Sequence, residues 1–137
     1  MKIIIAEDDE DIALSYRIAL ESRRHEVTVT KDGAQFMIYY AAICNTNPDQ
    51  NRVDAGKLEP PFNVAILDYR MPEKNGLEVA KEILELRPNQ RIIFASAFVR
   101  EALIDPVMQS KMVVDILQKP FELAELVETV ERVVMKC

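Results

Sequence analysis

Carboxylates in this chain come directly after two apolar runs. The run 2–6 leads into Glu7-Asp8-Asp9, and the run 62–67 leads into Asp68. Short apolar runs rich in Ile and Val are typical of strands that are buried on both faces of a parallel sheet. Because ligands bind outside the carboxyl ends of the strands in such sheets, we expect these acids to face a ligand there.

A hydroxyl and a lysine end two further apolar runs, Ser96 after 91–95 and Lys119 after 113–118. Carboxylates that lie close together repel each other, and Mg²⁺, which prefers carboxylate and phosphate oxygens, would relieve that repulsion. Asp68 would then act as a nucleophile toward phosphorus. Lys119 would supply positive charge to the phosphoryl oxygens, and Ser96 would supply a hydrogen-bond donor. These residue types predict phosphoryl transfer to Asp68 with Mg²⁺ as the cofactor.

Strand-like and helix-like patterns alternate five times along the chain. Predicted strands cover 2–6, 26–30, 62–67, 91–95 and 113–118, and predicted helices cover 10–24, 34–44, 76–86, 99–108 and 121–135. Strand–helix units of this length require parallel strands and right-handed crossovers. We therefore predict an α/β fold of the flavodoxin-like, doubly wound type, a three-layer (βα)5 sandwich with the parallel sheet order 2-1-3-4-5. In this order strands one and three are neighbours, so Glu7 and Asp8 converge on Asp68.

Apolar spacing also predicts which helix faces point inward. For the first helix the inward residues are predicted to be Ile12, Leu14, Ile18 and Leu20. For the last helix they are predicted to be Leu123, Leu126, Val127, Val130 and Val134. The stretch 36–43 is apolar nearly all round, which predicts a cover from residues 45–61 or a surface for a partner.

The bulk composition predicts one domain over residues 1–137, with an insertion at about 45–61 between the second helix and the third strand. A net charge of −6 argues against a nucleic-acid-binding surface. No apolar run reaches the roughly 18 residues of a membrane span, and no signal peptide is predicted. Cys44 and Cys137 are too few for a disulfide framework, so we expect reduced thiols and a cytoplasmic location.

Four motifs in this order resemble the receiver domain of two-component response regulators. They are Glu7-Asp8-Asp9, the segment 67–72 (LDYRMP) with Gly76, Ser96 between two alanines, and the segment 118–121 (QKPF). The resemblance covers nearly the whole chain apart from residues 45–61, and four ordered motifs are far more specific than any one of them. It implies a stand-alone, chemotaxis-regulator-like switch that takes a phosphoryl group from a sensor histidine kinase or a histidine phosphotransfer protein.

The resemblance also implies a role for each site residue. Asp68 is the phosphoacceptor, Asp8 binds Mg²⁺ directly, Glu7 acts through water, and Arg70 offers its backbone carbonyl to the metal. Ser96 moves toward the phosphoryl group and Lys119 pairs with it. The peptide bond before Pro120 is commonly cis in such domains.

Two positions depart from the usual pattern of these domains. Ile116 stands three residues before the lysine, where an aromatic residue that follows the hydroxyl residue is usual. We predict that Ser96 and Ile116 form the switch, either with a smaller apolar side chain as its lever or with a different output surface. Phe98 is bulky for its position, and we predict that Phe98 and Arg70 flank the site and screen the acyl phosphate from water.

Phosphorylation is expected to change a surface formed by the predicted helix 99–108, the fifth strand and the last helix, which a downstream protein then binds. The protein would be a monomer or a phosphorylation-dependent dimer. We expect no enzymatic turnover beyond slow self-dephosphorylation.

One alternative function is that of an aspartyl-phosphate phosphohydrolase, which would need a second Asp where this chain has Arg70. Others are a phosphorylation-independent interaction module and a receiver excised from a longer regulator.

Overall fold

Five parallel strands form a single sheet in the order β2-β1-β3-β4-β5, which confirms the predicted topology. The computed structural model describes residues 1–45, 59–71, 74–97 and 112–135. The strands are β1 (Lys2–Ala6), β2 (Glu26–Thr30), β3 (Val64–Asp68), β4 (Ile92–Ser96) and β5 (Val113–Gln118). The third and fourth strands end one residue later than predicted. Asp68 and Ser96 are therefore the last residues of their strands, and Asp68 pairs with Ala95 in the ladder.

The described helices are α1 (Glu10–Glu21), α2 (Gly33–Cys44), α3 (Gly76–Leu86) and α4 (Leu123–Met135). Helix α1 ends three residues before the predicted boundary, because Arg24 adopts a left-handed φ of 67° that no helix continues. The predicted helix 99–108 and most of the predicted insertion lie outside the described residues.

Alternate residues along each strand point to opposite faces of the sheet, which gives the molecule two core clusters. One cluster joins strand residues such as Ile4 and Leu67 to helices α2 and α3. The other joins residues such as Ile5 and Ile66 to helices α1 and α4. Helices cover both faces of the sheet, so the fold is a three-layer sandwich. The three inner strands β1, β3 and β4 are apolar over nearly their whole length, whereas the edge strand β2 alternates apolar and polar residues.

The predicted inward face of α1 was wrong in part. Leu14 and Ile18 are 54% and 60% exposed, whereas Ala13, Tyr16 and Leu20 are buried. The helix is rotated so that the Tyr16 ring lies in the core, where an aromatic side chain buries more apolar area than an aliphatic one.

In α4, Leu126 and Val130 are buried as predicted. Leu123 is 40% exposed, and it is the first residue of the helix.

In α2, Phe36 and Tyr40 are buried while Ile38 is 74% exposed. Most of residues 45–61, the predicted cover for α2, lie outside the described ranges. Across the described ranges, no helix has both the length and the apolar character that a bilayer span requires.

Candidate functional site

The sheet order brings three carboxylates together at the carboxyl ends of β1 and β3. Ala6 pairs with Leu67 in the ladder, so the residues that follow them emerge side by side. Carboxylate oxygens of Glu7, Asp8 and Asp68 all lie within 4.8 Å of one another. Glu7 and Asp68 are buried and Asp8 is exposed, so the cluster opens to solvent on the side of Asp8.

The third acid of the first motif caps the following helix. The Asp9 side chain accepts hydrogen bonds from the backbone N–H groups of Asp11 and Ile12, at 3.0 and 3.1 Å. This is the usual role of an Asp at a helix N-terminus. The cap fixes where α1 begins, and it leaves the two preceding acids for the site.

Gly76 lets helix α3 start against the backbone of Asp68. A Cβ atom at Gly76 would lie 2.3 Å from the carbonyl oxygen of Asp68, which no side chain tolerates. The Gly76 N–H donates a hydrogen bond to the carbonyl oxygen of Tyr69 at 3.0 Å, and the Asn75 side chain caps the helix. The glycine eight residues after Asp68 is therefore required by close packing.

Lys119 reaches the same cluster from the end of β5. Its Nζ lies 3.0 Å from Oε2 of Glu7 and 3.2 Å from Oδ2 of Asp68. Its backbone N–H donates a hydrogen bond to the carbonyl oxygen of Ser96 at 2.8 Å. The peptide bond to Pro120 is cis, as the resemblance implied.

The remaining predicted residues lie around this cluster at different depths. Ser96 is buried at 1% exposure, and Arg70 is exposed while its backbone N–H hydrogen-bonds the Asp68 carboxylate. Ile116 is half-buried and packs against the core cluster on the α2–α3 side. Phe98 lies outside the described residues. The switching, water-screening and metal-binding roles of these residues stay predictions.

The positive charge of Lys119 does not fully offset the burial and mutual repulsion of the acids in the cluster. Burial and the charge of Asp68 raise the pKa of Glu7 to about 7, although Lys119 opposes this shift. Burial also raises the pKa of Asp68 against the opposing effect of Lys119. Burial alone would lower the pKa of Lys119, but its bond to Glu7 and the charge of Asp68 raise it overall. One lysine therefore serves two buried acids that share it.

The donor set fits Mg²⁺. Hard divalent cations select carboxylate and carbonyl oxygens, and Mg²⁺ characteristically keeps several waters and uses only a few protein ligands. Glu7, Asp8 and Asp68 provide such oxygens, and the exposure of Asp8 leaves room for water. A cation here would also relieve the repulsion that raises the pKa of Glu7.

Sequence reasoning missed one aromatic pair beside the site. The ring of Tyr16 in α1 stacks on that of Phe121, two residues after Lys119, with centroids 5.6 Å apart. The only signal in the sequence is the spacing of Ala13, Tyr16 and Leu20, which defines a helical face as well as the aliphatic residues do.

The geometry agrees with comparisons to known proteins. Residues 3–131 match the family described as response regulator receiver domain. The response regulator receiver protein CpdR of Brucella abortus is 30% identical over 134 residues, which cover 98% of this chain and 97% of CpdR.

Solved structures show the same fold. A response regulator receiver domain protein from Clostridium thermocellum has a TM-score of 0.77 at 19% identity, covering 98% of this chain and 94% of that one. The response regulator TrrA of Thermotoga maritima, solved in complex with Mg²⁺–BeF, has a TM-score of 0.74 at 22% identity, covering 96% and 97%. The fold, the acid cluster with its lysine, and the match along nearly the whole length lead to one conclusion: the chain belongs to the response regulator receiver domain family.

Proposed function

We propose that Asp68 accepts a phosphoryl group from a histidine of a sensor kinase or a phosphotransfer protein. One observation carries this proposal: Asp68 ends a central strand with a lysine Nζ 3.2 Å away and two further acids close by. In the reaction a carboxylate oxygen of Asp68 bonds to phosphorus while the bond from phosphorus to the imidazole nitrogen breaks. The electron pair stays on that nitrogen, which leaves the donor histidine neutral once it takes a proton.

Glu7, Asp8, Asp68 and the backbone carbonyl of Arg70 would hold Mg²⁺. When bound, the ion supplies positive charge that offsets the carboxylates and the phosphoryl oxygens. The protein itself contributes position, since Asp68 is fixed by its place in the ladder and by the start of α3 against its backbone. TrrA, which has the same fold, was solved with Mg²⁺–BeF bound, and this supports the proposal.

Lys119 and Ser96 would stabilise the product. Lys119 already lies between Glu7 and Asp68, so a short movement of Nζ brings it to a phosphoryl oxygen. Ser96 is held next to it by the bond between its carbonyl oxygen and the Lys119 N–H. A point charge and a hydroxyl donor are the groups that a phosphoryl product needs.

The signal would leave through Ser96 and Ile116. Ser96 moving toward the phosphoryl group would free space behind it, and the neighbouring strand offers Ile116 as the side chain that fills it. A downstream protein, rather than nucleic acid, would then bind the changed surface of a monomer or of a phosphorylation-dependent dimer.

Arg70 and Phe98 would screen the acyl phosphate from water. A cytoplasmic location is part of this proposal.

The test compares the wild-type protein with Asp68→Asn and with Glu85→Gln, an exposed acid of α3. Each is incubated with Mg²⁺ and acetyl phosphate, and the intact mass is measured. Wild type and Glu85→Gln should gain one phosphoryl group, and Asp68→Asn should gain none. Labelling of Asp68→Asn at the wild-type level would refute the proposal.

The rival activities are distinguished by this labelling and by a second incubation with a chromogenic phosphate ester. A phosphohydrolase would turn over a chromogenic phosphate ester many times per molecule, whereas a receiver is labelled once and then stops. A phosphorylation-independent module would not be labelled at all. Arg70 in place of a second Asp gives no general acid for repeated turnover, which favours the receiver.

A further inference from the structure

Tyr16 of helix α1 lies beside the loop that carries Lys119. Its side chain is buried at 6% exposure. Its ring stacks on Phe121 with a centroid distance of 5.6 Å and an interplanar angle of 21°. Phe121 is two residues after Lys119 in the chain, so this stack is a side-chain contact between α1 and the lysine loop.

The stack is the second of two anchors on that loop. The first is the hydrogen bond from the Lys119 backbone N–H to the carbonyl oxygen of Ser96, at 2.8 Å. The first anchor ties the loop to β4, within the sheet. The second ties it to the helix layer above the sheet. Together they fix the backbone from which the Lys119 side chain extends.

Helix α1 is itself fixed to the acidic part of the site. It begins at Glu10, directly after the acid motif, and Asp9 caps it through two backbone N–H groups. Tyr16 is therefore carried by the same rigid element that follows Glu7 and Asp8. The Tyr16–Phe121 stack therefore connects the helix that follows the acids to the loop that carries Lys119.

Tyr16 contacts the lysine loop through its ring and contributes no charge to the site. Burial raises the pKa of Tyr16 to about 12, with Lys119 lowering it and Glu7 raising it. The phenol is therefore neutral at physiological pH. Its contribution to the site is the position of its ring.

We propose that Tyr16 is a positioning residue that acts through Phe121 to hold Lys119 within reach of the phosphoryl group. The inference rests on the proposed function, because the position of Lys119 matters to a phosphoacceptor. Misplacing a reacting group by about 1 Å costs up to about a hundredfold in rate.

The experiment measures the phosphorylation rate of the full chain as a function of acetyl phosphate concentration, with saturating Mg²⁺. Tyr16→Leu removes the stack, and its maximal rate should fall about tenfold with an unchanged half-saturation constant. Tyr16→Phe keeps the ring and should keep the wild-type rate. Phe121→Leu breaks the same contact from the other side and should match Tyr16→Leu. It also decides the question where Tyr16→Leu fails to fold.

Two controls separate positioning from general packing. Leu20→Val alters the same core cluster one turn further along α1, and it should lower stability without changing the maximal rate. In a Lys119→Met background, Tyr16→Leu should cause no further loss, because the group that it positions is gone.

Wild-type maximal rates in both Tyr16→Leu and Phe121→Leu would overturn the proposal. So would an equal loss from Tyr16→Leu with and without Lys119. Either result leaves the proposed function intact, provided that wild type is labelled at Asp68. A wild-type protein that takes no Asp68-dependent label would instead refute the proposed function, and this inference with it.

Discussion

The two ends of the sheet use buried polar groups in opposite ways. At the carboxyl ends of the strands, buried Glu7 and Asp68 share Lys119, and the pKa values of both acids are raised. At the amino ends, buried Gln90 lies among hydrogen-bond partners that satisfy it without any charge. We infer that Glu7 and Asp68 are held in a costly electrostatic state for chemistry, whereas the hydrogen bonds of Gln90 contribute stability.

The network at the amino ends joins three parts of the chain. The Tyr40 hydroxyl in α2 donates a hydrogen bond to Oε1 of Gln90 at 2.8 Å. Nε2 of Gln90 donates to the carbonyl oxygens of Phe62 and Arg91, at 3.1 and 3.0 Å. Helix α2 and the segments before β3 and β4 are thus tied together by neutral bonds. Buried polar groups that are fully paired in this way rigidify a core.

Removal of Lys119 should cause the largest change in activity at the carboxyl ends of the strands. Among the described residues, Lys119 is the basic side chain that pairs with Glu7 and Asp68, and Lys119→Met removes it from these acids and from the phosphoryl product. The rate of labelling by acetyl phosphate should fall by about 10²–10³-fold, as when one preorganised stabilising donor is lost. Lys81→Met, an exposed lysine of α3, is the matched control and should be labelled at the wild-type rate. A mild effect of Lys119→Met would show that the lysine is not needed for the chemistry.

Breaking the network at the amino ends should affect stability alone. Gln90→Leu leaves the Tyr40 hydroxyl and the Phe62 carbonyl without their partner in the core. The free energy of unfolding in urea should fall by about 3 kcal/mol, whereas labelling of Asp68 should be unchanged. Tyr40→Phe removes one of these bonds and should cost about 1 kcal/mol. Loss of labelling in folded Gln90→Leu protein would mean that the two ends are coupled.

The smallest expected effect is a pH dependence that comes from the carboxyl ends alone. The pKa of Glu7 is raised from 4.5 to about 7 in the folded protein. Its contribution to stability is therefore present below about pH 4.5 and is lost as the pH rises through about 7. Asp68 has the same sign.

Without Mg²⁺, the melting temperature should fall by a few degrees from pH 5.5 to pH 8. Glu7→Gln should flatten this fall, and added Mg²⁺ should reverse it at the higher pH. Gln90→Leu should shift both temperatures down without changing the slope. A wild-type slope in Glu7→Gln would assign the pH dependence to other groups.

Most of the fold and the centre of the site could be predicted from the sequence. The inner strands β1, β3 and β4 are short apolar runs, which is the pattern of strands buried on both faces. The edge strand β2 shows the alternating pattern of a half-buried strand. Parallel strands must also end at the same side of the sheet, so acids after two neighbouring strands have to meet. The convergence of Glu7, Asp8 and Asp68 follows from those two facts.

The orientation of α1 could not be predicted because its apolar residues surround the helix. Leu14 and Ile18 extend the apolar pattern away from the core, whereas Ile12, Tyr16 and Leu20 pack against it. Local spacing does not choose between overlapping faces. The choice depends on a tertiary contact, the stack of Tyr16 on Phe121, which lies more than one hundred residues away along the chain.

The role of Gly76 shows the same limit from the other side. Its spacing from Asp68 is visible in the sequence, but the cause is a backbone contact that a one-dimensional pattern does not contain. The exposure of Leu123 likewise depends on where α4 begins relative to the sheet. Predictions for Phe98, for the helix 99–108 and for the insertion concern residues outside the described ranges.

Gly33 and Gly76 have a joint consequence for the mutational tolerance of this protein. Each is the first residue of its helix, and they touch the two ends of the same loop after β3. A Cβ at Gly33 would lie 2.3 Å from the carbonyl oxygen of Lys74, as one at Gly76 would from that of Asp68. A saturation scan should therefore find both positions intolerant, although Gly33 is far from Asp68 in the sequence. An exchange of the loop 69–75 between homologous proteins must keep both glycines, because backbone atoms already fill the space that a Cβ would need.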